Sequence, residues 1–240
     1  MPNKRRSMEQ IIEEQVQRWQ LSHRQTPREE QGFRVFTVSR DPGSGGRLVA
    51  QRVAKILGFD CFHQELIQAM AASAQVEARV LETLDEKGVN TLEHWIASLA
   101  DRRHLWPDQH LNHLMRVMGA ISRHGKAVIV GRGSNFAVPP AHRLRIRVVA
   151  PLEERVSRVS DTFGVGREEA RRRIMRTESE RRAFVQRYFY ADIADPIHYD
   201  MVVNTGELSV EAVASLVVSF AREAQAAGES VVNKPLSVAG

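Results

Sequence analysis

The stretch Ser39-Arg40-Asp41-Pro42-Gly43-Ser44-Gly45-Gly46-Arg47 constrains this chain more than any other. It lies between a β-prone run, Phe33 to Val38, and a helical period, Leu48 to Leu57, that Gly58 stops. Closely spaced glycines let successive backbone N–H groups turn toward one point, and a helix that starts there aims its positive end at the same point. Strand, glycine turn and helix together predict an anion cradle with phosphate as its natural occupant, held by Ser39, Arg40, Gly43, Ser44, Gly45, Gly46 and Arg47. The loop departs from the G-x-x-x-x-G-K-[ST] pattern, because it has no lysine and Arg47 falls at either the lysine or the hydroxyl place, depending on register. Arg47 still brings positive charge, as a planar fork in place of a compact ammonium. Ser44, Ser39 or water alone is left to meet a Mg²⁺ ion.

The rest of the chain alternates in the same way. Phe59 to Phe62 reads as a second short strand, Ala127 to Val130 and Leu144 to Ala150 are compact aliphatic runs of the kind buried on both faces of a sheet, and Met201 to Val203 supplies a fifth strand. Helical patterns separate them, the longest from Glu65 to Arg123 with breaks expected at Gly88 and at Trp106-Pro107. Strands alternating with helices predict an α/β fold with a parallel five-stranded sheet and a ligand crevice at the carboxyl ends of its strands. Upstream, Met8, Ile11, Ile12, Val16 and Trp19 recur at helical spacing. Residues 1–32 therefore read as an amphipathic arm, which packs on the core, docks on a second copy as a homodimer or binds another protein, and a polar linker from Ser22 to Gly32. The main domain is expected over 33–225, and 226–240 reads as a flexible tail.

Composition narrows the class. A chain of 240 residues with 42% hydrophobic content can bury one sizeable core, and its single cysteine, Cys61, rules out an intramolecular disulfide. No apolar run approaches the ~20 residues that span a bilayer, and Met8 to Glu14 is too acidic for a signal peptide, so a cytoplasmic protein is expected. The net charge of +5 comes from dispersed arginines without a basic and aromatic stripe. That balance suits small anions such as nucleotides, and no nucleic-acid partner or membrane is expected. His104, His110, His113 and His124 have neither cysteine companions nor H-E-x-x-H spacing, so they are not expected to hold a metal.

Arginines form the second group of candidates. Arg155 and Arg158 follow the fourth strand, and Arg171, Arg172, Arg173 and Arg176 crowd together after the turn Phe163-Gly164-Val165-Gly166. Moving a phosphoryl group requires alignment and positive charge more than covalent help, so 161–178 reads as a lid that delivers guanidinium groups. Arg176 shares a helix face with Arg172 and Arg173. The competing reading is that Glu168 and Glu169 pair with Arg172 and Arg173 in solvent.

Several segments in order carry a resemblance to a known family: Val38 to Arg47, then Leu57-Gly58-Phe59-Asp60-Cys61-Phe62-His63-Gln64-Glu65-Leu66-Ile67, then Ile129-Val130-Gly131-Arg132-Gly133-Ser134-Asn135-Phe136, then Val149 to Arg158, then Asp195 to Gly206. Together they resemble the cytidylate kinase-like family over roughly Phe33 to Glu223, a family that shares the lysine-free loop. The resemblance implies a three-layer P-loop NTPase fold with a helical acceptor-binding insertion over 64–125 and an arginine-rich lid. It also implies transfer of the γ-phosphoryl group of ATP, with Mg²⁺, to CMP, dCMP or another small nucleotide. On this likeness Arg47, Arg155, Arg158, Arg172, Arg173, Arg176 and Arg181 carry the transferring charge, with Glu178 orienting Arg181 or holding metal-bound water, while His63, Arg132, Gly133 and Asn135 face the acceptor. One departure leaves the base open: true cytidylate kinases have Gly-Arg-Asp at 131–133, where the Asp accepts from the cytosine amine, and this chain has Gly133. The missing lysine and hydroxyl also leave a non-catalytic nucleotide-binding or regulatory protein as the alternative.

Overall fold

The computed structural model describes residues 7–22, 33–103, 108–140 and 143–226. Met1 to Arg6, the linker from His23 onward, His104, the break at Trp106-Pro107 and 227–240 lie outside the described residues. Five strands, β1 (Val35–Arg40), β2 (Asp60–Phe62), β3 (Ala127–Val130), β4 (Arg143–Val149) and β5 (Met201–Asn204), form one sheet in the order β2-β3-β1-β4-β5. Every neighbouring pair is parallel. The α/β expectation therefore holds, with the glycine loop at the carboxyl end of the central strand.

The register explains why a crevice opens there. β1 pairs with β3 only as far as Val38↔Val130, whereas it pairs with β4 as far as Arg40↔Val148. Ser39 and Arg40 thus run on without a partner on the β3 side, and the sheet splits at its central strand.

The helices are α1 (Met8–Ser22), α2 (Gly46–Leu57), α3 (Gln64–Ala71), α4 (Ala74–Leu81), α5 (Glu86–Arg103), α6 (Gln109–His124), α7 (Ser134–Ala137), α8 (Leu152–Phe163), α9 (Arg167–Phe189) and α10 (Val210–Ala226). Phe36 and Val38 of β1 face α2 and α10, packing with Val49, Val53, Val213 and Val217. Val35, Ala127 and Ile129 face the other way into a larger cluster with Ile67, Met70, Leu114, Met118 and Ile121 of the helical insertion. Burial on both faces accounts for the unbroken apolar run of β3 and for Val35 to Val38 of β1, which only Thr37 interrupts. β4 differs. Its Leu144, Ile146 and Val148 join the first cluster, while Arg143, Arg145 and Arg147 alternate with them. Arg145 is held by Asp200 at 2.6 Å.

Two local expectations need correction. Gly88 does not break the insertion; it lies in the first turn of α5, where its N–H donates to Asp85 Oδ1 at 2.8 Å. The interruption falls just before that cap, because a glycine costs little in a first turn whose N–H groups have no helical partner. A further break separates α3 from α4 at Ser73, whose side chain caps α4 by accepting from Val76 N.

Ile12, Val16 and Trp19 of α1 are buried in the insertion-side cluster. The Trp19 ring stacks on His124 at 4.5 Å and on Phe62 at 5.9 Å, and Gln15 and Arg18 donate to Asp60 on edge strand β2. The apolar stripe of the arm is thus covered within the chain. Val156, Ala170 and Ile174 give the α8–α9 hairpin a small core of its own. Among the described residues no helix is long and apolar enough to cross a membrane.

Candidate functional site

The loop after β1 is shaped by two different demands on glycine. Gly43 and Gly45 adopt left-handed backbone with φ of +82° and +76°, a conformation that costs other residues roughly 1–2 kcal/mol. Gly46 is required by close approach, since a Cβ there would sit 2.5 Å from Arg40 Cβ and 3.1 Å from Val148 Cβ. The loop is tightened by Ser44, whose N–H and Oγ both donate to Asp41 O, at 3.2 and 2.9 Å. Beyond it, Leu48 N and Val49 N donate to Gly45 O and start α2. The N–H groups of Gly43, Gly45, Gly46 and Arg47 donate to no acceptor among the described residues. A row of free N–H groups at a helix start is a site for an anion.

Three guanidinium groups converge on the cleft beside this loop: Arg40 at the end of β1, Arg132 in the turn after β3 and Arg181 from α9. The cleft has a cavity volume of about 130 Å³ and is walled also by Gln64, Asn135, Phe184 and Ile193. Arg181 Nη1 donates to Arg40 O at 2.8 Å, and Arg40 Nη2 to Gln64 Oε1 at 3.3 Å. Among the described residues none of the three has a carboxylate within ion-pair distance, in contrast to Arg147 on Asp41 and Arg155 on Glu178. Burial, and for Arg40 next the charge of Arg181, holds their pKa values below the ordinary guanidinium range. Partly desolvated like charges without counter-ions favour any anion that enters between them.

The other expected site residues fall into distinct places. Arg47 stands on the first turn of α2, 55% exposed and 3.8 Å from Glu65. His63 precedes α3, with Nε2 3.2 Å from Gln51 and Nδ1 3.9 Å from Cys61 Sγ; burial first, then Arg47, lowers its pKa. Arg155 is buried beneath the loop, donating to Ala150 O at 2.9 Å, Glu178 Oε2 at 3.0 Å and Pro42 O at 3.5 Å. Arg158 donates to Thr205 Oγ1 at 3.2 Å, and that hydroxyl donates to Ser44 O at 2.6 Å. Arg172 and Arg173 pair with Glu169 and Arg176 with Glu180 along the exposed face of α9. The structure therefore brings Arg40, Arg132 and Arg181 together with the loop, puts Arg155 and Arg158 behind it, and leaves Arg172, Arg173 and Arg176 in pairs on the helix surface. Arg182 rests on Glu178 at 3.7 Å, while its neighbour Arg181 turns into the cleft.

Sequence reasoning missed Arg147, Gln64 and Phe184. Arg147 is buried, donating to Ser39 Oγ at 3.1 Å and to Asp41 Oδ1 at 2.8 Å; the Arg143-Arg145-Arg147 alternation was its signal. Phe184 stands one helical turn beyond Arg181, with Arg132 Cζ 5.5 Å from its ring centre.

The turn at 131–133 lies in the left-handed region throughout, with φ of +84°, +55° and +67°, and Arg132 is its one non-glycine residue. Position 133 has no room for a side chain, because a Cβ would lie 2.1 Å from Cε2 of Phe189, which is fully buried and stacked on Phe136 at 5.0 Å. Two donors of this wall, Arg132 Nε and Asn135 Nδ2, are buried without partners.

The hydroxyls expected to meet a divalent ion are engaged. Ser44 Oγ is buried against Asp41 O, and Ser39 Oγ sits between Arg147 and Tyr199. Asp41 and Glu178 are committed to Arg147 and Arg155, and no group of three or more His, Cys, Asp or Glu among the described residues is placed to hold a metal. These donors do not fit a resident divalent cation.

The model of the cytidylate kinase-like family matches residues 35–207. The cytidylate kinase of Ignicoccus hospitalis is 28% identical over 183 residues, covering 76% of this chain and 96% of that protein. The cytidylate kinase of Thermococcus kodakarensis is 29% identical over 187 residues, covering 78% and 86%. A crystal structure of an uncharacterized protein from Eubacterium ventriosum shares the fold, with a TM-score of 0.62 at 20% identity over 79% of this chain and 98% of that one.

Proposed function

The chain belongs to the cytidylate kinase-like family, and from that membership we propose that it transfers the γ-phosphoryl group of ATP to a nucleoside monophosphate. The observation that carries the proposal is the set of three guanidinium groups without carboxylate partners beside a loop of free N–H groups. The loop from Gly43 to Arg47 holds the β- and γ-phosphates of ATP. Arg132 takes the phosphate of the acceptor, and Arg40 and Arg181 stand between the two, where charge gathers as the group moves. An oxygen of the acceptor phosphate forms the new bond to the γ-phosphorus, the bond to the β,γ-bridging oxygen breaks, and ADP leaves with that electron pair. Mg²⁺ enters as part of the MgATP substrate, since the protein's own donors do not fit it.

Arg155 and Arg158 act by holding the loop, the first through Pro42 O and the second through Thr205 and Ser44 O. Within the domain 33–225, the insertion 64–125 forms the acceptor flap. The lid 161–178 brings Arg172, Arg173 and Arg176 inward when they leave their glutamate partners. The acceptors in view are CMP, dCMP and other small nucleotides, for an enzyme of the cytoplasm. The test is ADP formation from MgATP across a panel of nucleoside monophosphates. Acceptor-dependent ADP supports the proposal, and normal ATP binding with no transfer to any acceptor refutes it. That second outcome is what a non-catalytic nucleotide-binding protein gives, a reading favoured by one observation: Arg47, which falls at the lysine or the hydroxyl place of the loop, is turned toward Glu65.

A further inference from the structure

We infer that Arg147 is a positioning residue: its guanidinium grips Ser39 and Asp41 on either side of Arg40, and so sets both Arg40 and the glycine loop in place. The inference rests on the phosphotransferase reading above and adds to it a residue that touches neither phosphate.

The end of β1 needs such a hold. On the β3 side its pairing stops at Val38, whose carbonyl accepts from Gly131 N at 3.1 Å, whereas on the β4 side the ladder runs on until Asp41 N donates to Val148 O at 3.0 Å. Residues 39–41 are therefore fastened along one edge. Arg147 is the buried β4 residue in register with Ser39, and its fork reaches two residues at once. Nη1 donates to Ser39 Oγ at 3.1 Å and Nη2 to Asp41 Oδ1 at 2.8 Å. The Tyr199 ring, centred 5.6 Å from Arg147 Cζ, backs the guanidinium, and its own hydroxyl is anchored on Ile193 O at 2.8 Å. Successive side chains of a strand point to opposite faces. Gripping 39 and 41 on one face thus turns Arg40 to the other, where its Nη2 donates to Gln64 Oε1.

Arg40 leaves the strand through a gap fitted to it. A Cβ at Gly46 would lie 2.5 Å from Arg40 Cβ, and a Cβ at Gly131 would lie 2.3 Å from Arg40 Nη1. Gly46 belongs to the loop, so Arg40 cannot shift without pressing on it. Asp41 is the second link, because its carbonyl accepts from both Ser44 N and Ser44 Oγ, the bonds that fold the loop. One buried fork therefore fixes the two residues through which the strand passes its position to the free N–H groups. A displacement of about 1 Å among aligned reacting groups costs as much as about 100-fold in rate. Lysine would bring the same charge, but its nitrogen ends one bond short of both positions.

The test separates the grip from the charge by calorimetry with ATP, on variants whose folding is checked by urea denaturation. Arg147→Lys keeps a charge beside Asp41 and loses the fork. Arg147→Met combined with Asp41→Asn loses the fork and both charges together, so no buried charge is left without a partner. Asp41→Asn alone changes the charge and keeps an oxygen for Nη2. R147K and R147M/D41N should each bind ATP about tenfold more weakly than the wild type, and D41N within about threefold of it. In the transfer assay R147K should lower kcat by about tenfold or more, with KM for the acceptor changed less than about threefold. Wild-type ATP affinity in either fork-less variant, or a loss in D41N as large as theirs, overturns the inference and leaves the phosphotransferase reading standing. A wild type that binds ATP and phosphorylates no acceptor removes that reading, and the calorimetry still decides the inference. A wild type that binds no ATP overturns both. The two fork-less variants reach the same charge balance by different routes, so one that misfolds leaves the other to decide.

Discussion

Restoring the missing carboxylate, Gly133→Asp, tests the packing that excludes it. The new Cβ would stand 2.1 Å from Phe189 Cε2 and 2.8 Å from its Cζ, on backbone with φ of +67°. The left-handed conformation costs a non-glycine residue roughly 1–2 kcal/mol, and forcing atoms into a filled core costs about 1–3 kcal/mol more. G133D should therefore lose about 2–5 kcal/mol of stability. Phe189→Ala alone should lose about 3–5 kcal/mol, since the ring is fully buried. In the double variant the steric part vanishes because the ring is gone, and only the backbone part remains. The pair should thus be less destabilised than the sum by about 1–3 kcal/mol. Urea denaturation of the four proteins at constant m-value measures that coupling. Additivity within about 0.5 kcal/mol would refute the claim that Phe189 is what keeps position 133 bare.

Trp19→Ala should cost about 3–5 kcal/mol in the same denaturation experiment, because the ring is buried between His124 and Phe62; a loss under about 1 kcal/mol would show that α1 does not belong to the core. Gly46→Ala should weaken ATP binding, whereas Gly58→Ala should lower stability by roughly 1–2 kcal/mol and leave ATP affinity unchanged, because a Cβ at 58 meets nothing within 4 Å; calorimetry with ATP separates them. The folded-state pKa of His63 lies below its ordinary value, so the unfolded chain binds more protons as pH falls below about 6.5 and stability declines in that direction. His63→Gln should flatten this acid-side decline in melts run from pH 7 to pH 5, and an unchanged slope would remove His63 as its source.

The sheet was legible because β1 and β3 are buried on both faces and leave short β-prone runs, wholly apolar in β3 and interrupted only by Thr37 from Val35 to Val38 of β1, with the glycine loop between strand and helix marking the crevice. β4 was misread as apolar on both faces, since Val148 and Val149 end it on a run that hides the Arg143, Arg145 and Arg147 alternation. The arginines show the limit most clearly. Arg155 and Arg176 look alike along the chain, yet one is buried under Pro42 O and the other is 83% exposed on Glu180. A long flexible side chain takes its place from what its helix packs against, and the local pattern does not record that. Gly133 was legible as a departure, but its cause was not, because Phe189 reaches it from the far end of α9.

The lysine-free loop and the partly buried guanidinium groups of Arg40, Arg132 and Arg181 should face one continuous polyphosphate track. Calorimetry with a dinucleoside pentaphosphate, adenosine at one end and cytidine at the other, tests this directly. One molecule should bind per chain, more tightly than ATP, should exclude both ATP and CMP, and should lose its advantage over ATP in Arg181→Gln. An analogue that binds no better than ATP and still admits CMP would contradict it.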